Sequence, residues 1–500
     1  MIMEENTMKM IHECYEKKFA NLPEKVLQFG EGNFLRAFAD WMIELSNRKG
    51  DFNGSVVLCQ PIARGMGEVL NAQNCQYSVV MRGIEDGESV ERIEQISSIS
   101  RCINPYEDYQ ALMDIAHSET LRCIISNTTE AGIAYHAGDK RDDRPPVSYP
   151  AKVCAFLHER FTAFNGDPDK GLLLLPVELI DNNGHELKRI VLQYAEEWNL
   201  GEAFITWLKE SCCFASTLVD RIVTGYPRDE INELQEKIGY EDKSLVTCEV
   251  FNLWVIEADE KWADVFPVAK TDAHVIWTPD VTPYKKRKVR ILNGAHTGTV
   301  LAAYLAGHDI VLDFMKDEAF NKYMNDMLME EIVPTLDLPR DELISFAAAV
   351  NDRFSNPFIR HRLLDISLNS CSKFCARNLP SLLGYYEQYG KLPAHLTFAL
   401  AAFISFYRGE WEDGRYYGVR KEGTKYEIRD DQAVLEFISK AWEGGCAEKV
   451  AKAVLSNKEF WGGRDLTEIP VWKPQSQHIS LPFLKRVFTQ PSPNCNRRLL

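Results

Sequence analysis

The feature that most constrains the fold is a strand, a glycine turn, a helical pattern and a second strand near the start of the chain. Residues 25–29 (KVLQF) form a short apolar run, and residues 30–32 (GEG) follow it. Residues 33–48 carry apolar side chains at helical spacing, and residues 55–59 (SVVLC) form a second apolar run. This order is typical of the opening of a dinucleotide-binding fold.

The same alternation continues along the first half of the 500-residue chain and then changes. Residues 77–82 and 90–99 predict a hairpin, and residues 121–126 predict another buried strand. Further along, long helical patterns dominate and strand candidates almost vanish. We therefore expect an α/β protein, with an N-terminal Rossmann-type dinucleotide-binding domain over 1–284 and a mostly α-helical C-terminal domain over 285–500.

Two polar segments form the candidate cofactor site. The glycine turn has the flexible backbone and exposed amides that a pyrophosphate needs. The expected contacts in and around it are Phe29, Gly30, Gly32, Asn33 and Phe34. Because Leu35 replaces the third glycine of the GxGxxG pattern, a glycine-rich turn without a ligand is the alternative.

The second polar segment follows the strand at 121–126. Asn127, Thr128 and Thr129 could line the nicotinamide ribose, although a helix cap is a competing role. The second strand is followed by Gln60 instead of the acid that usually binds the adenosine ribose, and Arg64 lies beyond it. These residues alone leave NAD or NADP open.

The candidate catalytic site is the run KVRILNGAH at 288–296. On an α-helix, Asn293 lies roughly 140° and His296 roughly 80° round from Lys288, so the three side chains project to one side. A lysine, an amide and an imidazole together can transfer a proton to a carbonyl oxygen and stabilise it. Since basic residues surround Lys288, a basic helix start with a solvated face is the alternative.

Charged residues elsewhere are candidates for substrate binding. Asp220 and Arg221 end an apolar segment, where a structural ion pair and a catalytic role are both open. Cationic side chains are also concentrated just beyond the candidate catalytic helix, at Arg353, Arg360, His361, Arg362 and Lys373. We expect Arg353 and Lys373 to hold a substrate carboxylate and most of the others to lie at the surface.

Composition excludes several other classes of protein. The net charge of −16 disfavours a nucleic-acid partner, in spite of the basic run at 285–290. The 13 cysteines include no CxxC pair and no Cys/His cluster with metal spacing, so we expect no metal and free thiols in a reducing cytoplasm. The N-terminal residues do not have the pattern of a secretory signal, and residues 172–175, the densest aliphatic run, are far too short for a membrane span.

Five blocks of the sequence carry a family resemblance: QFGEGNFLRAF, SNTTEAG, STLVDRIVTGYPRDE, KVRILNGAH and RFSNPFIRH. Together they resemble the polyol-specific long-chain dehydrogenases, the mannitol dehydrogenase family. The resemblance covers nearly the whole chain and implies metal-independent hydride transfer. It implies that Lys288 is the general acid/base, that Asn293 binds the reacting oxygen and that His296 orients the substrate. It also implies that Gly30 and Gly32 hold the cofactor and that Asp220 lies near the site.

Within the family, longer runs such as SNTTEAGIAYHAGDK are similar to the branch that acts on D-tagaturonate. The resemblance therefore implies NADH-dependent reduction of this keto-uronate to D-altronate, with NADP a less favoured cofactor. Fructuronate, or a polyol such as mannitol, is the closest alternative substrate, and a non-catalytic dinucleotide-binding regulator is a remote one. The family's second oxyanion-stabilising asparagine has no match near Leu179, where Asn182 or Asn183 could substitute. Monomer and homodimer both remain open.

Overall fold

A computed structural model describes residues 8–85, 87–128, 132–443 and 446–469. The chain divides into two compact units, residues 1–282 and residues 283–500. Thr129 of the candidate cofactor site and Asp86 of the expected hairpin turn lie outside the described residues. Across the described residues, no helix combines the length and apolar character that crossing a membrane requires.

The first unit alternates strands and helices. Its strands are β1 (Glu24–Phe29), β2 (Ser55–Cys59), β3 (Tyr77–Glu85), β4 (Glu88–Ile96), β5 (Ile99–Ile103), β6 (Cys123–Ser126), β7 (Leu173–Pro176), β8 (Cys213–Phe214), β9 (Ser216–Asp220), β10 (Val223–Gly225), β11 (Val246–Cys248), β12 (Leu253–Glu257) and β13 (Val275–Thr278). Its helices are α1 (Ile11–Cys14), α2 (Asn33–Arg36), α3 (Ala39–Lys49), α4 (Gly67–Ala72), α5 (Tyr109–Ala116), α6 (Tyr149–Ala163), α7 (Asn183–Glu197), α8 (Glu202–Glu210) and α9 (Ile231–Ile238). Short 3₁₀ turns lie at Pro168–Lys170, Glu260–Trp262 and Pro267–Lys270.

Six strands of this unit form one parallel sheet in the order β5-β2-β1-β6-β7-β8. Counted along the chain within the sheet, this is the order 3-2-1-4-5-6 of a doubly wound dinucleotide-binding fold. The strand order reverses between β1 and β6, and ligands of such folds bind beyond the carboxyl ends of the strands at that point. The predicted Rossmann-type fold is confirmed.

The sheet is apolar on both faces because helices cover both of them. Successive residues of a strand point to opposite faces. Val26 of β1 accordingly packs in a core with Met42 of α3, and Leu27 packs in a second core with Phe156 of α6. This two-sided burial explains why the strands read as continuous apolar runs instead of alternating patterns.

The remaining strands of the first unit form two smaller sheets. The predicted hairpin is confirmed, since β3 and β4 pair antiparallel from Tyr77–Ile96 to Glu85–Glu88. The apolar segment 248–256 is shared between these two sheets, because β11 pairs with β3 and β12 pairs with β9 and β13. A single helix over 33–48 is wrong. The backbone leaves the helical conformation at Phe38, whose ring packs 5.3 Å from that of Trp254.

The second unit is mainly helical. Its α-helices are α10 (Thr282–Arg287), which starts at the boundary, α11 (Gly294–Ala306), α12 (Val311–Lys316), α13 (Glu318–Asp326), α14 (Arg340–Phe354), α15 (Leu363–Ile366), α16 (Ser370–Arg377), α17 (Leu379–Tyr389), α18 (Ala394–Phe406), α19 (Gln432–Trp442) and α20 (Ala447–Ser456). Two π-helical segments, π1 (Lys288–Asn293) and π2 (Met327–Ile332), lie within longer helical runs. Val333–Thr335 and Leu466–Glu468 are 3₁₀ turns.

A small antiparallel sheet in the second unit was not predicted from the sequence. It consists of β14 (Gly409–Glu412), β15 (Arg415–Val419) and β16 (Lys425–Glu427). Its strands are short and largely exposed, so they lack the apolar runs on which strand prediction depends.

Helix α11 is the centre of the second unit. Ten of its 13 residues are buried, and it packs against α18, α15 and α16. A Cβ atom at Gly298 would lie 2.6 Å from the Sδ atom of Met327, so this glycine lets π2 approach α11 closely. A helix that is apolar all round belongs in a core, and the residues on which the candidate site depends lie at its N-terminal end.

Candidate functional site

The glycine turn lies where the strand order of the parallel sheet reverses. Gly30 follows β1 with φ of +121°, and a Cβ atom there would lie 2.9 Å from the carbonyl oxygen of Asn127. Asn127, which follows β6, donates its backbone N–H to the carbonyl of Phe29 at 3.0 Å. Gly32 has an ordinary φ of −68°, and no atom lies within 4 Å of the position of its Cβ. The turn therefore has a tight inner glycine and an outer glycine that faces open space.

The three other predicted contacts at this turn place their side chains in the framework. Phe29 is fully buried against Tyr149. Asn33 accepts a hydrogen bond from Nη2 of Arg36 at 2.7 Å, and Phe34 stacks on Phe38 with ring centroids 4.9 Å apart. Any contact of Phe29 with a cofactor must therefore come from its backbone.

A buried polar network supports the turn from below. The Gln28 amide donates to the Gly30 carbonyl at 3.0 Å and to Oδ2 of Asp40 at 3.3 Å. Tyr77 donates to the same carboxylate at 3.1 Å. Burial raises the pKa of Asp40 to about 7, in spite of these hydrogen bonds and the charge of Arg36. The position of Gly30 is thus fixed by polar contacts as well as by packing.

The segment after β6 is organised by Glu178, a residue that the sequence did not single out. Its carboxylate accepts from the backbone N–H and the hydroxyl of Thr128, at 3.0 and 2.9 Å, and from Ser126 at 3.1 Å. Burial raises the pKa of Glu178. The hydroxyl of Thr128 is therefore engaged in positioning its own loop.

A cavity of about 340 Å³ opens beyond the ends of β2 and β5. Gln60, Arg64, Glu68, Asn104 and Glu107 are among the residues that line it. In a doubly wound fold, the end of the second strand is where the adenosine ribose binds. The cavity contains two carboxylates and one guanidinium, so its charge is negative on balance.

Lys288 and Asn293 begin and end the π-helical segment π1. The predicted α-helical geometry is therefore wrong between them. In a π-helix the hydrogen bond runs from residue i to residue i+5, so residues five apart come close to one another along the same side. The two side chains are closer in direction than α-helical spacing predicts. Such single π turns occur frequently at functional sites.

His296 lies on the first turn of α11, in an apolar and cationic environment. Its ring stacks on Phe354 with centroids 4.0 Å apart, and it meets His361 edge-on at 5.3 Å. Its Nε2 atom is buried and has no hydrogen-bond partner among the described residues. Burial, and then the charges of His361 and of Arg353, lower the pKa of His296 well below its ordinary value. The imidazole is therefore neutral at pH 7.

Several of the predicted cations lie around this imidazole. The charges of Arg353, Lys373 and Arg377 all contribute to lowering the pKa of His296. Arg353 is buried, with 7% of its surface exposed, and Lys373 and Arg377 are half-buried. Arg360 and Arg362 are exposed, as predicted for most of the group. Arg377 was missed from the sequence, although its position one helical turn after Lys373 could have signalled it.

The basic run at 285–290 is not a uniformly solvated face. Arg287 is buried, with its guanidinium 4.5 Å from the centroid of the Phe346 ring. Nε of Arg290 donates to the hydroxyl of Ser381 at 2.7 Å, and burial lowers the pKa of Arg290 to about 10. These two arginines fasten the helix to its own unit.

The first unit bears on two roles that the sequence left open, that of the Asp220–Arg221 pair and that of Asn183. Arg221 donates to the carbonyls of Glu249 and Ala37, at 3.0 and 2.7 Å, which is a structural role. Asp220 is also buried, at the end of β9. The amide of Asn183 is occupied by framework groups, since it donates to the carbonyl of Pro176 at 2.9 Å and accepts from the N–H of Thr217 at 2.8 Å.

Among the described residues, no group of three or more His, Cys, Asp or Glu side chains could hold a metal ion.

The comparisons with known proteins agree across the chain. A family model described as the mannitol dehydrogenase Rossmann domain matches residues 24–266, and one described as the mannitol dehydrogenase C-terminal domain matches residues 280–473. Altronate oxidoreductases of Escherichia coli O7:K1 (strain IAI39 / ExPEC) and Shigella flexneri are each 48% identical to this chain over 458 residues. The matched residues span 90% of this chain and 92% of each relative. This chain belongs to the mannitol dehydrogenase family.

Solved structures of two similar proteins show the same fold. A D-sorbitol dehydrogenase in substrate-free form has a TM-score of 0.72 at 18% identity, covering 90% of this chain and 95% of its own. The mannitol 2-dehydrogenase of Pseudomonas fluorescens, in a ternary complex with NAD and D-mannitol, has a TM-score of 0.62 at 21% identity, covering 95% and 96%. In this member of the mannitol dehydrogenase family, Lys288, Asn293 and His296 fall in the C-terminal family domain, and Gly30 and Gly32 fall in the Rossmann domain.

Proposed function

We propose that this protein catalyses the NADH-dependent reduction of D-tagaturonate to D-altronate, and the reverse oxidation, without a metal. The observation that carries the proposal is the position of His296, which follows the Lys288–Asn293 π turn, stacks on Phe354 and lies among cationic side chains of its own unit. A reductase for a neutral ketose needs the proton donor but not the surrounding positive charge. The altronate oxidoreductases that are 48% identical to the chain support the same substrate.

The first unit fits a dinucleotide. Gly32 faces open space at the point where the sheet order reverses, and the tight turn at Gly30 keeps the backbone out of that space. Gly30 and Gly32 would hold the pyrophosphate, and Asn127 and Thr128 would lie beside the nicotinamide ribose. When bound, the nicotinamide supplies the hydride for the ketone carbon. Thr129 belongs to the same proposed segment but lies outside the described residues.

The cavity beyond β2 and β5 favours NADH over NADPH. The 2′-phosphate of NADPH would bring a charge of about −2 to a site where Glu68 and Glu107 outnumber Arg64. Like charges at close range disfavour binding. A ribose hydroxyl carries no charge, and Gln60 or the two carboxylates can accept its proton in a hydrogen bond.

The second unit supplies the proton and the binding groups. Lys288 acts as the general acid, giving its proton to the oxygen as the ketone becomes an alkoxide, and Asn293 donates an N–H to the same oxygen. The neutral imidazole of His296 can donate from one nitrogen and accept at the other, so it orients a hydroxyl or the reacting oxygen. Arg353 and Lys373 supply positive charge for the substrate carboxylate. Asp220, at the end of β9, is also proposed as a substrate-binding residue.

The cellular location forms part of the proposal. Cysteines within the described ranges are free thiols, and most of them are buried, as in a protein of a reducing compartment. We infer a cytoplasmic location on this basis.

Steady-state oxidation of NADH, followed with D-tagaturonate, fructuronate and fructose in parallel, tests the proposal. We expect D-tagaturonate to have the highest kcat/KM and NADPH to be a poor substitute for NADH. A preference for fructuronate or fructose would change the assigned substrate and leave the assigned hydride transfer unchanged. NADH binding without turnover of any of the three would indicate the non-catalytic regulator.

A further inference from the structure

Arg377 is a half-buried cation without a role in the reaction proposed above. It ends α16, and its Nη1 donates to the hydroxyl of Thr297 at 3.2 Å. Thr297 follows His296 in α11. In the part of the chain that the structure describes, Arg377 forms no salt bridge, although burial lowers its pKa. A guanidinium has five N–H donors in a planar fork, and among the described residues only the hydroxyl of Thr297 accepts from that of Arg377.

Lys373 lies one turn before Arg377 on the same helix, and side chains four residues apart share a face. Its Nζ donates to the carbonyl of Ile366 at 2.9 Å. Burial, and then the charge of Arg377, lower the pKa of Lys373, which places the two cations near each other. Two like charges at this spacing destabilise a helix unless an anion lies between them.

The acid that acts on the charge of Lys373 is engaged in other hydrogen bonds. Asp430 favours the charged form of Lys373, but its Oδ2 accepts hydrogen bonds from the N–H of Cys371, at 3.1 Å, and from the hydroxyl of Tyr407. Its Oδ1 accepts from the N–H of Asp431 at 2.8 Å. Asp430 therefore fixes the start of α16, and none of the carboxylates that the structure describes pairs with the fork of Arg377.

The same place contains an unsatisfied polar atom. Nε2 of His296 is buried without a hydrogen-bond partner among the described residues. Thr297 joins Arg377 to the helix that carries this imidazole. Within the described ranges, the buried nitrogen has no partner and the nearby guanidinium has no counter-ion. A polar anion would supply the group that each of them lacks.

We propose that Arg377 and Lys373 together hold the carboxylate of the substrate, with Arg377 as its bidentate partner. The inference rests on the proposed function and deepens it, since it names the residue that selects a keto-uronate over a neutral ketose. The planar fork of arginine matches the two oxygens of a carboxylate, whereas lysine contributes a single point charge. Arg353 is buried and engaged in other interactions, so it contributes positive potential and not a bidentate contact.

The test compares an acidic and a neutral substrate in the full-length protein. In Arg377→Met, KM for D-tagaturonate should rise about 10- to 100-fold, as expected for a lost charged hydrogen bond, with kcat little changed. The neutral ketohexose in which a CH₂OH group replaces the carboxylate should keep its wild-type kcat/KM. Arg377→Lys should give an intermediate KM, because it keeps the charge and loses the fork. Arg360→Met, at an exposed arginine, is the matched control and should behave as wild type.

Three outcomes would overturn the assignment of Arg377 to the carboxylate. A wild-type KM for D-tagaturonate in Arg377→Met, or an equal loss with both substrates, would overturn the assignment of Arg377. If thermal unfolding shows that Arg377→Met does not fold, Arg377→Lys carries the test, and a wild-type KM in that variant overturns the assignment. A wild-type protein that does not reduce D-tagaturonate at all would overturn the proposed function and, with it, this inference. Failure of Arg377→Met alone leaves the proposed function standing.

Discussion

Lys288 and Asn293 are the two ends of one π-helical turn, and α11 begins immediately after Asn293. The i→i+5 hydrogen bond brings residues five apart to the same side of the helix. An α-helix would have placed these two side chains roughly 140° apart. The turn therefore allows one ketone oxygen to meet a proton donor and an amide donor from a single helical segment.

Replacing Lys288 by alanine should lower kcat for D-tagaturonate about 10²- to 10⁴-fold, the range that a general acid contributes. The dissociation constant for NADH should stay near its wild-type value, because the proposed cofactor contacts lie in the other unit. Stopped-flow absorbance and NADH fluorescence titration measure the two quantities. Lys286→Ala is the control, since Lys286 is an exposed neighbour of the same charge whose Nζ lies 3.8 Å from Asp337. Equal values of kcat in the two variants would show that Lys288 is not the general acid.

The two glycines of the turn should respond differently to alanine. Gly30→Ala places a methyl group against the Asn127 carbonyl at a positive φ, so the free energy of unfolding should fall by about 1–3 kcal/mol. Gly32→Ala has an ordinary φ and open space, so stability should be retained. Its methyl group would occupy the proposed pyrophosphate position, so the dissociation constant for NADH should rise. Denaturant unfolding and NADH titration separate the two effects, and unchanged NADH affinity in Gly32→Ala would contradict the proposed position.

His296 should make the protein less stable at acidic pH. Its pKa in the folded state lies well below the ordinary value of 6.5, because of burial and then the cations around it. Between the two values the unfolded state binds a proton that the folded state does not, so stability falls as the pH drops below about 6.5. Denaturant unfolding of wild type and His296→Gln between about pH 5 and 8 measures this. The wild type should lose stability relative to the variant toward acidic pH, and parallel curves would show that the imidazole titrates normally.

His395 should show the opposite dependence. Its Nδ1 lies 2.8 Å from Oε1 of Glu331, and this hydrogen bond raises the pKa of His395. The stabilisation is present below about 6.5, the unfolded value, and is lost as the pH rises through the higher folded value. Glu331 also accepts from the backbone N–H groups of His395 and Leu396 at the start of α18. The difference in unfolding free energy between wild type and His395→Gln should therefore be larger at about pH 5.5 than at about pH 8.5, and a constant difference would rule out the charged pair.

The sequence was most informative where local pattern decides structure. The apolar run of β1, the glycines after it and the apolar run of β2 are sufficient to predict the parallel sheet, because two-sided burial leaves a continuous apolar signal. The family blocks then indicated Lys288, Asn293 and His296 as the site of proton transfer. These are features of neighbouring residues, and a sequence displays neighbours directly.

The rest depends on tertiary structure. A π turn has the same composition as an α turn, so Lys288–Asn293 gave no signal of its geometry. Arg377 is distinguished only by its contact with Thr297 and by the engagement of Asp430 elsewhere, which brings together residues far apart in the chain. Glu178 likewise acts through Thr128, 50 residues before it.

The most direct test of the central claim is the fate of deuterium from NADH labelled at the transferable position of C4, after incubation with the protein and D-tagaturonate. We expect one deuterium atom in D-altronate for each NADH oxidised, bonded to the carbon that was the ketone carbon, as mass spectrometry and NMR would show. Unlabelled D-altronate, or NADH oxidation without a labelled sugar acid, would contradict direct hydride transfer.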